Sequence, residues 1–307
     1  MSDIVAILVS DTHFTHNPPV ARSAEPDWYG VMARQWDEVY KLHLDHLYAP
    51  LIIAGDVFDH WQRGVTPELI NFVITQLSQF ESVYAIPGQH DLPYHGYDRI
   101  NQSAYWTLVQ AGVINNLSKI ESIRHHSCVF QLTPFWWGRD IKLIEKRVNT
   151  DFNVAVCHSF IWTKDTGHVG ADEDKTLGSY RHALKGYDAA VFGDNHKGFN
   201  CVDNGVNVMN CGTFYCRTVA EVDYNPQVGL LCDDGSIIAH KLDVSKDVFL
   251  HRDEDKRIID QSVFARVVGQ LSELGADSLD FRKAVFLALE ANEVSEDMRR
   301  VVIESMA

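Results

Sequence analysis

Residues 51–59 read LIIAGDVFD, and this stretch decides the fold class. The four apolar residues Leu51–Ala54 are followed directly by Gly55 and Asp56. A short apolar run without alternation is typical of a strand that is buried on both faces of a sheet. A polar residue at its carboxyl end then lies at the edge where α/β folds place their sites. The stretch therefore predicts a parallel strand that delivers a carboxylate to a crevice.

The same arrangement, an apolar run followed by polar residues, occurs four more times. The other runs are Ile4–Val9, Val83–Ile86, Val154–Val156 and Ala189–Phe192. The polar segments that follow are Asp11-Thr12-His13, Gly88-Gln89-His90-Asp91, Cys157-His158-Ser159 and Gly193-Asp194-Asn195-His196. Carboxylate, imidazole and amide groups that converge from five strand ends suit Mn, Fe or Zn better than Ca. The sequence therefore predicts a metal site rather than scattered polar residues.

Helical patterns alternate with these strands through the first two-thirds of the chain, which predicts a layered α/β fold. The predicted helices are Trp28–Leu47, Pro67–Phe80 with Thr66 as N-cap, Asn101–Gly112 and Arg139–Val148. Later strands are predicted at Val206–Met209, Gly229–Cys232 and Ile237–His240. His43 and His46 are predicted to lie on a solvated helix face.

We predict two parts, an α/β domain at residues 1–245 and a small helical accessory segment at residues 246–307. The segment contributes none of the polar strand ends. It carries an apolar stripe formed by Phe281, Val285, Phe286 and Leu289. Such a stripe must be buried, either against the first domain or against a partner protein.

The composition narrows the function classes. The 307 residues carry a formal net charge of −15, which disfavours a broad electrostatic footprint on nucleic acid. Metal ions can reverse the sign of the charge inside a site, so nucleic acid stays open as a substrate. No apolar run approaches the length of a membrane span, and the N-terminus lacks the basic region of a signal peptide. We therefore expect a cytoplasmic protein without a membrane partner, in which the six cysteines are reduced.

In their order along the chain, these motifs resemble those of the calcineurin-like metallophosphoesterases, whose pattern is D-x-H, G-D, G-N-H-[DE], a lone His and G-H-x-H. The resemblance covers residues 4–215. It implies a four-layer α/β/β/α sandwich and two divalent metal ions. By position, the first ion would be held by Asp11, His13 and His196, the second by Gln89, His158 and Asp194, and both by Asp56. His90 would be the catalytic acid, oriented by Asp91, and a metal-bridging hydroxide would be the nucleophile.

Two positions depart from the family pattern. Gln89 stands where the family has Asn, and Asp194 stands where it has the first His of the last motif. Both fall on the second ion. Because carboxylate and amide oxygens are hard ligands, the departures predict a weaker second site that favours Mn²⁺, with Mg²⁺, Fe or Zn as alternatives.

The segment Gly55-Asp56-Val57-Phe58-Asp59 resembles the matching motif of SbcD-type DNA repair nucleases. The pattern of serine/threonine phosphatases does not match, because His60 follows Asp59. Asp59 is predicted to support the ligands rather than to bind metal. The resemblance implies an exo- or endonuclease acting on DNA, with an SbcC-like ATPase and a homodimer as further expectations. The alternatives are an enzyme for nucleotides or other small phosphoesters, and a non-catalytic metal-binding scaffold. Trp136 and Trp137 are predicted as anchors, with stacking on a base as the alternative.

Overall fold

A computed structural model describes residues 2–143, 150–167, 171–218 and 221–249. These residues lie in a unit that spans residues 1–250. The apolar stripe from Phe281 to Leu289 and the second half of the predicted helix Arg139–Val148 lie outside the described residues. No helix in the described ranges is both long and apolar enough to cross a membrane.

The described chain forms two mixed sheets of six strands each. In chain order the strands are β1 (Ile4–Val9), β2 (Leu51–Ala54), β3 (Val83–Ile86), β4 (Asn115–Asn116), β5 (Glu121–His125), β6 (Cys128–Phe135), β7 (Phe152–His158), β8 (Ala189–Gly193), β9 (Phe199–Asp203), β10 (Val206–Asn210), β11 (Gln227–Cys232) and β12 (Ile237–Lys241). The strand order is β12-β11-β1-β2-β3-β4 in the first sheet and β5-β6-β7-β8-β10-β9 in the second. Strands β1 to β4 are parallel, as are β6, β7, β8 and β10, while β5, β9, β11 and β12 run antiparallel to their neighbours.

Four α-helices lie in the described residues: α1 (Trp28–Asp45), α2 (Pro67–Leu77), α3 (Ala104–Gln110) and α4 (Leu177–Tyr180). The prediction of α2 is confirmed, including its cap, because the Thr66 hydroxyl accepts from the amide of Leu69. The third helix begins later than predicted. Ser103 caps α3 through the amide of Trp106, and a 3₁₀ helix over Tyr97–Gln102 precedes it.

The predicted helix from Arg139 is wrong in its described part, because residues 139–143 are irregular. Gly138 has a positive φ of 80°, which turns the chain before a helix could begin. The Arg139 guanidinium then lies 4.3 Å from the ring centroid of Trp136. This contact holds the segment against the end of β6.

Three apolar clusters define the layers. The two sheets face each other through Leu8, Ile52, Val154, Val191 and Met209. The outer face of the first sheet packs on α1, α2 and α3 through Ile7, Ile53, Trp36, Leu69 and Leu108. The outer face of the second sheet packs on α4 and the irregular chain around it through Cys157, Phe192, Ile161 and Leu177. The fold class is thus confirmed as a mixed α/β sandwich of two sheets and helices.

His43 corrects one prediction about α1. Its side chain is fully buried rather than solvated, and its Nδ1 lies 2.9 Å from the carbonyl oxygen of Ala49. The ring packs against Tyr40 and Phe80, with centroid distances of 5.8 and 5.0 Å. The imidazole therefore belongs to the core and ties the end of α1 to the start of β2.

The first residues of the predicted accessory segment are bound to the body. Arg22 is fully buried, and its Nη1 lies 2.8 Å from Oδ2 of Asp247. Arg34 lies 2.6 Å from the other carboxylate oxygen of Asp247, and the Arg22 guanidinium lies 4.8 Å from the ring centroid of Phe249. The boundary after Ser245 stays a prediction, but these contacts attach the start of the segment to the α/β domain.

Candidate metal centre

The carboxyl ends of five parallel strands bring the predicted ligands to one edge of the sandwich. Asp11, Asp56 and Gln89 follow β1, β2 and β3, His158 ends β7, and Asp194 follows β8. Three groups have ligand atoms that lie within 4.8 Å of one another: Asp11 with His13 and His196, His13 with Asp56 and His90, and Asp11 with Asp56 and His158. Because the groups share members, they form one continuous centre.

The backbone at these strand ends turns sharply. Asp11, His13, Asp56 and Asp194 have φ values of 50°, 39°, 52° and 89°, in the left-handed region that costs a non-glycine residue about 1–3 kcal/mol. Backbone bonds hold these turns, since the amide of Asp11 donates to the carbonyl of Gly55 and the amide of His13 donates to the carbonyl of Asp56. Four ligands held in an unfavourable conformation indicate that the fold fixes their side chains toward the crevice.

Asp56 provides the test of whether the residues fit a metal. Its Oδ1 accepts from the amide of His90 at 2.9 Å, whereas its Oδ2 is buried without a hydrogen-bond partner. The Nε2 atoms of His158, His13 and His90 lie 3.4, 3.8 and 4.0 Å from that Oδ2. A buried carboxylate oxygen without a donor is costly, and a cation between these groups would satisfy it. The donor set of carboxylates and imidazoles fits Mn, Fe or Zn.

His13 and His196 form the predicted first half of the centre with Asp11. Their Nε2 atoms lie 3.1 Å apart, and Oδ1 of Asp11 lies 4.0 Å from Nε2 of His13. Burial is the main reason why the pKa of His13 lies well below its ordinary value, and the charge of the neighbouring Arg217 lowers that pKa further. The imidazole is therefore neutral, which is the form that binds metal ions.

Gln89, His158 and Asp194 form the predicted second half, and they are hydrogen-bonded to one another. The Gln89 amide donates to Oδ1 of Asp194 at 2.7 Å, and its Oε1 lies 2.6 Å from Nε2 of His158. Nδ1 of His158 lies 2.7 Å from the carbonyl of Ala54, which fixes the ring. Burial alone would lower the pKa of His158, but the carboxylate of Asp56 outweighs it and raises that pKa to about 10.

His90 is oriented differently from the prediction. Asp91 makes its hydrogen bonds to backbone amides rather than to the His90 ring: its Oδ1 accepts from the amide of Phe58, and its Oδ2 accepts from the amides of Val57 and Gly88. The Nδ1 of His90 instead lies 2.6 Å from the carbonyl oxygen of Asp59. Asp91 therefore locks the loops after β2 and β3 together. Burial, and then the charge of Asp56, raises the pKa of Asp91 to about 7.

Two carboxylates support the outer nitrogens of the histidines, and sequence reasoning missed one of them. Oδ1 of Asp59, predicted as a supporting group, lies 3.7 Å from Nδ1 of His13 and pairs with the guanidinium of Arg217. Oε1 of Glu221 lies 3.8 Å from Nδ1 of His196, and its Oε2 accepts from the amide of Arg217 at 2.6 Å. Such pairs orient a metal-binding imidazole and raise its basicity. Glu221 and Arg217 lie beyond the last motif, and no spacing signal links them to it.

Two glycines make the close approach of the loops possible. A Cβ at Gly88 would lie 2.1 Å from Oδ1 of Asp56, and one at Gly55 would lie 2.1 Å from Nδ1 of His158. Gly55 also has a positive φ of 91°. Any side chain at either position would push a predicted ligand out of the centre.

A cleft of about 570 Å³ opens beside His158. Its lining includes Trp137, Ser159 and Tyr180, together with the charged residues Arg139, Asp140, Asp174 and Lys175. The ring centroid of Trp137 lies 6.4 Å from that of His158, whereas Trp136 is stacked on Tyr97 at 4.4 Å. Trp136 is therefore an anchor as predicted, and Trp137 faces a space of the size that small ligands occupy.

A family model and several solved structures are similar to this chain. A family model described as "Calcineurin-like phosphoesterase" matches residues 5–198. No curated protein sequence matches significantly. Among solved structures, an archaeal phosphodiesterase is 12% identical (TM-score 0.39, covering 77% of this chain and 99% of that one). A dimetal phosphatase from Danio rerio is 10% identical (TM-score 0.48, covering 82% and 100%).

A third solved structure, the sulfate thiohydrolase SoxB from Thermus thermophilus, is 10% identical with a TM-score of 0.45. The alignment covers 87% of this chain and 61% of that one, so this chain spans less than two-thirds of its length. The family match covers well over half of the present sequence. The chain therefore belongs to the calcineurin-like phosphoesterase family and is a hydrolase.

Proposed function

We propose that the protein is a metal-dependent phosphodiesterase that cleaves phosphodiester bonds in nucleic acid, with DNA as the leading substrate. The observation that carries the proposal is the buried, unpaired Oδ2 of Asp56, which lies within 4.0 Å of the Nε2 atoms of three histidines. Asp11, His13 and His196 would hold one ion, Gln89, His158 and Asp194 a second, and Asp56 both. When bound, two divalent ions supply electrostatic stabilisation to the phosphoryl oxygens and acidify water.

His90 is placed to hold the proton that the leaving oxygen requires. Its Nδ1 faces the carbonyl of Asp59, so Nε2 is directed toward the side of the centre where Asp56 lies. The His90 side chain is 41% exposed, whereas those of Asp56, His13 and His158 are fully buried. A substrate can therefore reach His90 from solvent. General acid catalysis by such a group contributes about 10²–10⁴-fold to the rate.

DNA is proposed because residues 55–59 resemble the SbcD-type motif and because the approach to His90 is open. With DNA as the substrate we also propose an SbcC-like ATPase partner, a homodimer, Mn²⁺ as the metal and a cytoplasmic location. A second candidate is hydrolysis of nucleotides or other small phosphoesters. The cleft beside His158, with Arg139 and Lys175 in its lining, and the net charge of −15 favour that candidate. Because the chain is a hydrolase, the non-catalytic scaffold is no longer an alternative.

The experiment uses the full chain, stripped with EDTA and reloaded with Mn²⁺. Linear duplex DNA, single-stranded DNA, a 5′-nucleotide and bis-p-nitrophenyl phosphate are compared at equal phosphoester concentration. Asp56→Asn should abolish turnover and metal uptake together, while Asp45→Asn, at the exposed end of α1, should change neither. Turnover of the 5′-nucleotide without cleavage of either DNA would replace the leading proposal with the second candidate. Full turnover in Asp56→Asn would refute both.

A further inference from the structure

An aromatic surface that the metal chemistry does not use lies on the loops that carry Asp59 and His90. It consists of Trp61, Tyr94 and Arg99. The ring centroids of Trp61 and Tyr94 lie 5.5 Å apart, and the Arg99 guanidinium lies 5.6 Å from the ring centroid of Tyr94. Tyr94 is 72% exposed. The exposed ring of Tyr94 thus lies between a half-buried indole and a guanidinium plane.

The surface is joined to the catalytic loops at both ends. Trp61 follows Asp59 by two residues, and the carbonyl of Asp59 is the group that contacts the His90 ring. Tyr94 follows His90 by four residues, on the same loop after β3. The surface is therefore carried by the same two loops as Asp59 and His90.

The backbone holds Tyr94 outward in an unfavourable conformation. Tyr94 and His95 are consecutive non-glycine residues with φ values of 53° and 60°. Among the described residues, the large aromatics that are mainly exposed are Tyr48 and Tyr94. Tyr48 precedes β2, at the opposite end of that strand from Asp56. An exposed ring that is held outward next to a reaction centre points to a ligand rather than to packing.

We propose that Trp61, Tyr94 and Arg99 form a stacking platform for a nucleobase on the leaving side of the scissile phosphodiester. This inference rests on the proposed function and names its substrate class as an unpaired nucleic acid strand. A net charge of −15 disfavours broad contacts with phosphates, whereas base stacking needs no net charge and tolerates any base. The arginine adds a cation over the face of the same ring.

The test measures binding rather than turnover. A fluorescently labelled single-stranded oligonucleotide is titrated with metal-free full-length protein, and anisotropy reports the affinity. Tyr94→Gly should weaken binding about tenfold or more, because one lost base stack changes affinity by that order. Tyr94→Phe should bind as the unmodified protein does. An abasic oligonucleotide of the same length should bind the unmodified protein as weakly as the ordinary one binds Tyr94→Gly.

The matched control is Tyr48→Gly, which removes an exposed ring at another left-handed position, with φ of 65°. It should alter neither oligonucleotide affinity nor turnover of bis-p-nitrophenyl phosphate. Equal affinity of Tyr94→Gly and unmodified protein, or equal affinity for the ordinary and abasic strands, would overturn the platform. Lack of bis-p-nitrophenyl phosphate turnover by the unmodified Mn²⁺-loaded protein would instead overturn the proposed function, and the binding result would still judge the platform.

Discussion

The two halves of the metal centre differ in what their ligand atoms already contact. In the half with Asp11, His13 and His196, the hydrogen-bond contact between ligand side chains is that of the two ring nitrogens, which lie 3.1 Å apart. In the other half, Gln89 connects His158 to Asp194 through contacts of 2.6 and 2.7 Å. The first half therefore has one such contact, whereas the second half has two. In the second half, each ligand side chain already has a hydrogen-bond partner among the other two.

The contacts of the second half involve both residues that depart from the family pattern, Gln89 and Asp194. An ion that enters the second half must break the contacts of Gln89 with both neighbours, and each hydrogen bond to a charged group contributes about 1.5–3 kcal/mol. The first half also has outer support, because Glu221 and Asp59 lie behind His196 and His13. We therefore expect ordered binding, with the first ion tighter than the second.

The largest expected effect concerns His90, which lies near Asp56 but is proposed to bind neither ion. His90→Ala should lower turnover of a dinucleotide about 10²–10⁴-fold, because a nucleoside oxygen needs a proton to leave. Turnover of bis-p-nitrophenyl phosphate should fall much less, since p-nitrophenolate leaves unprotonated. Metal content measured by mass spectrometry should stay unchanged in both halves. Loss of an ion in this variant would make His90 a ligand and remove its catalytic role.

The second effect probes the support behind the first half. Glu221→Gln should weaken the first ion about 10–100-fold, because the carboxylate orients His196 and raises its basicity. Burial alone would lower the pKa of His196, but Glu221 raises it above the ordinary value. Calorimetric titration with Mn²⁺ should show the tighter site weakened and the looser site unchanged. Asp203→Asn is the control, because that carboxylate pairs with exposed Arg181 away from the centre. Weakening of both sites equally would contradict the division into halves.

A smaller effect should come from restoring the family residues in the second half. Gln89→Asn combined with Asp194→His should tighten the looser Mn²⁺ site about tenfold, because the shorter amide no longer spans from His158 to Asp194 and the added imidazole is a strong ligand. The same titration measures it, and the gain should be larger for Zn²⁺. Two equal, tight sites in the unmodified protein would contradict this, because they would show that the hydrogen bonds of Gln89 do not weaken metal binding in the second half.

The strand ends could be predicted because buried apolar runs determine where a chain turns and which edge its polar residues reach. Thr66 and Pro67 predicted the start of α2 for a similarly local reason. The contacts of Asp91 could not be predicted, since adjacency to His90 suggested a side-chain pair and the fold uses Asp91 to bind backbone amides instead. Glu221 reaches His196 only through the tertiary path of the chain after β10. For the same reason, helical periodicity could not show that His43 faces Phe80.

The smallest effect on the metal centre should come from removing the predicted accessory segment after Leu250. A chain that ends after Leu250 keeps the pairs of Asp247 with Arg22 and Arg34, so both Mn²⁺ affinities and bis-p-nitrophenyl phosphate turnover should match the full chain. A chain that ends after Ser245 loses Asp247, and Arg22 keeps Glu25 as its remaining carboxylate partner. A hydrogen bond to a charged group contributes about 1.5–3 kcal/mol, so the shorter chain should melt at a lower temperature in a thermal unfolding scan. Since Arg22 also donates to the carbonyl of Cys216, next to Arg217, the shorter cut should weaken the first ion before the second. Equal melting temperatures for the two truncated chains would show that the segment after Ser245 is independent of the α/β domain.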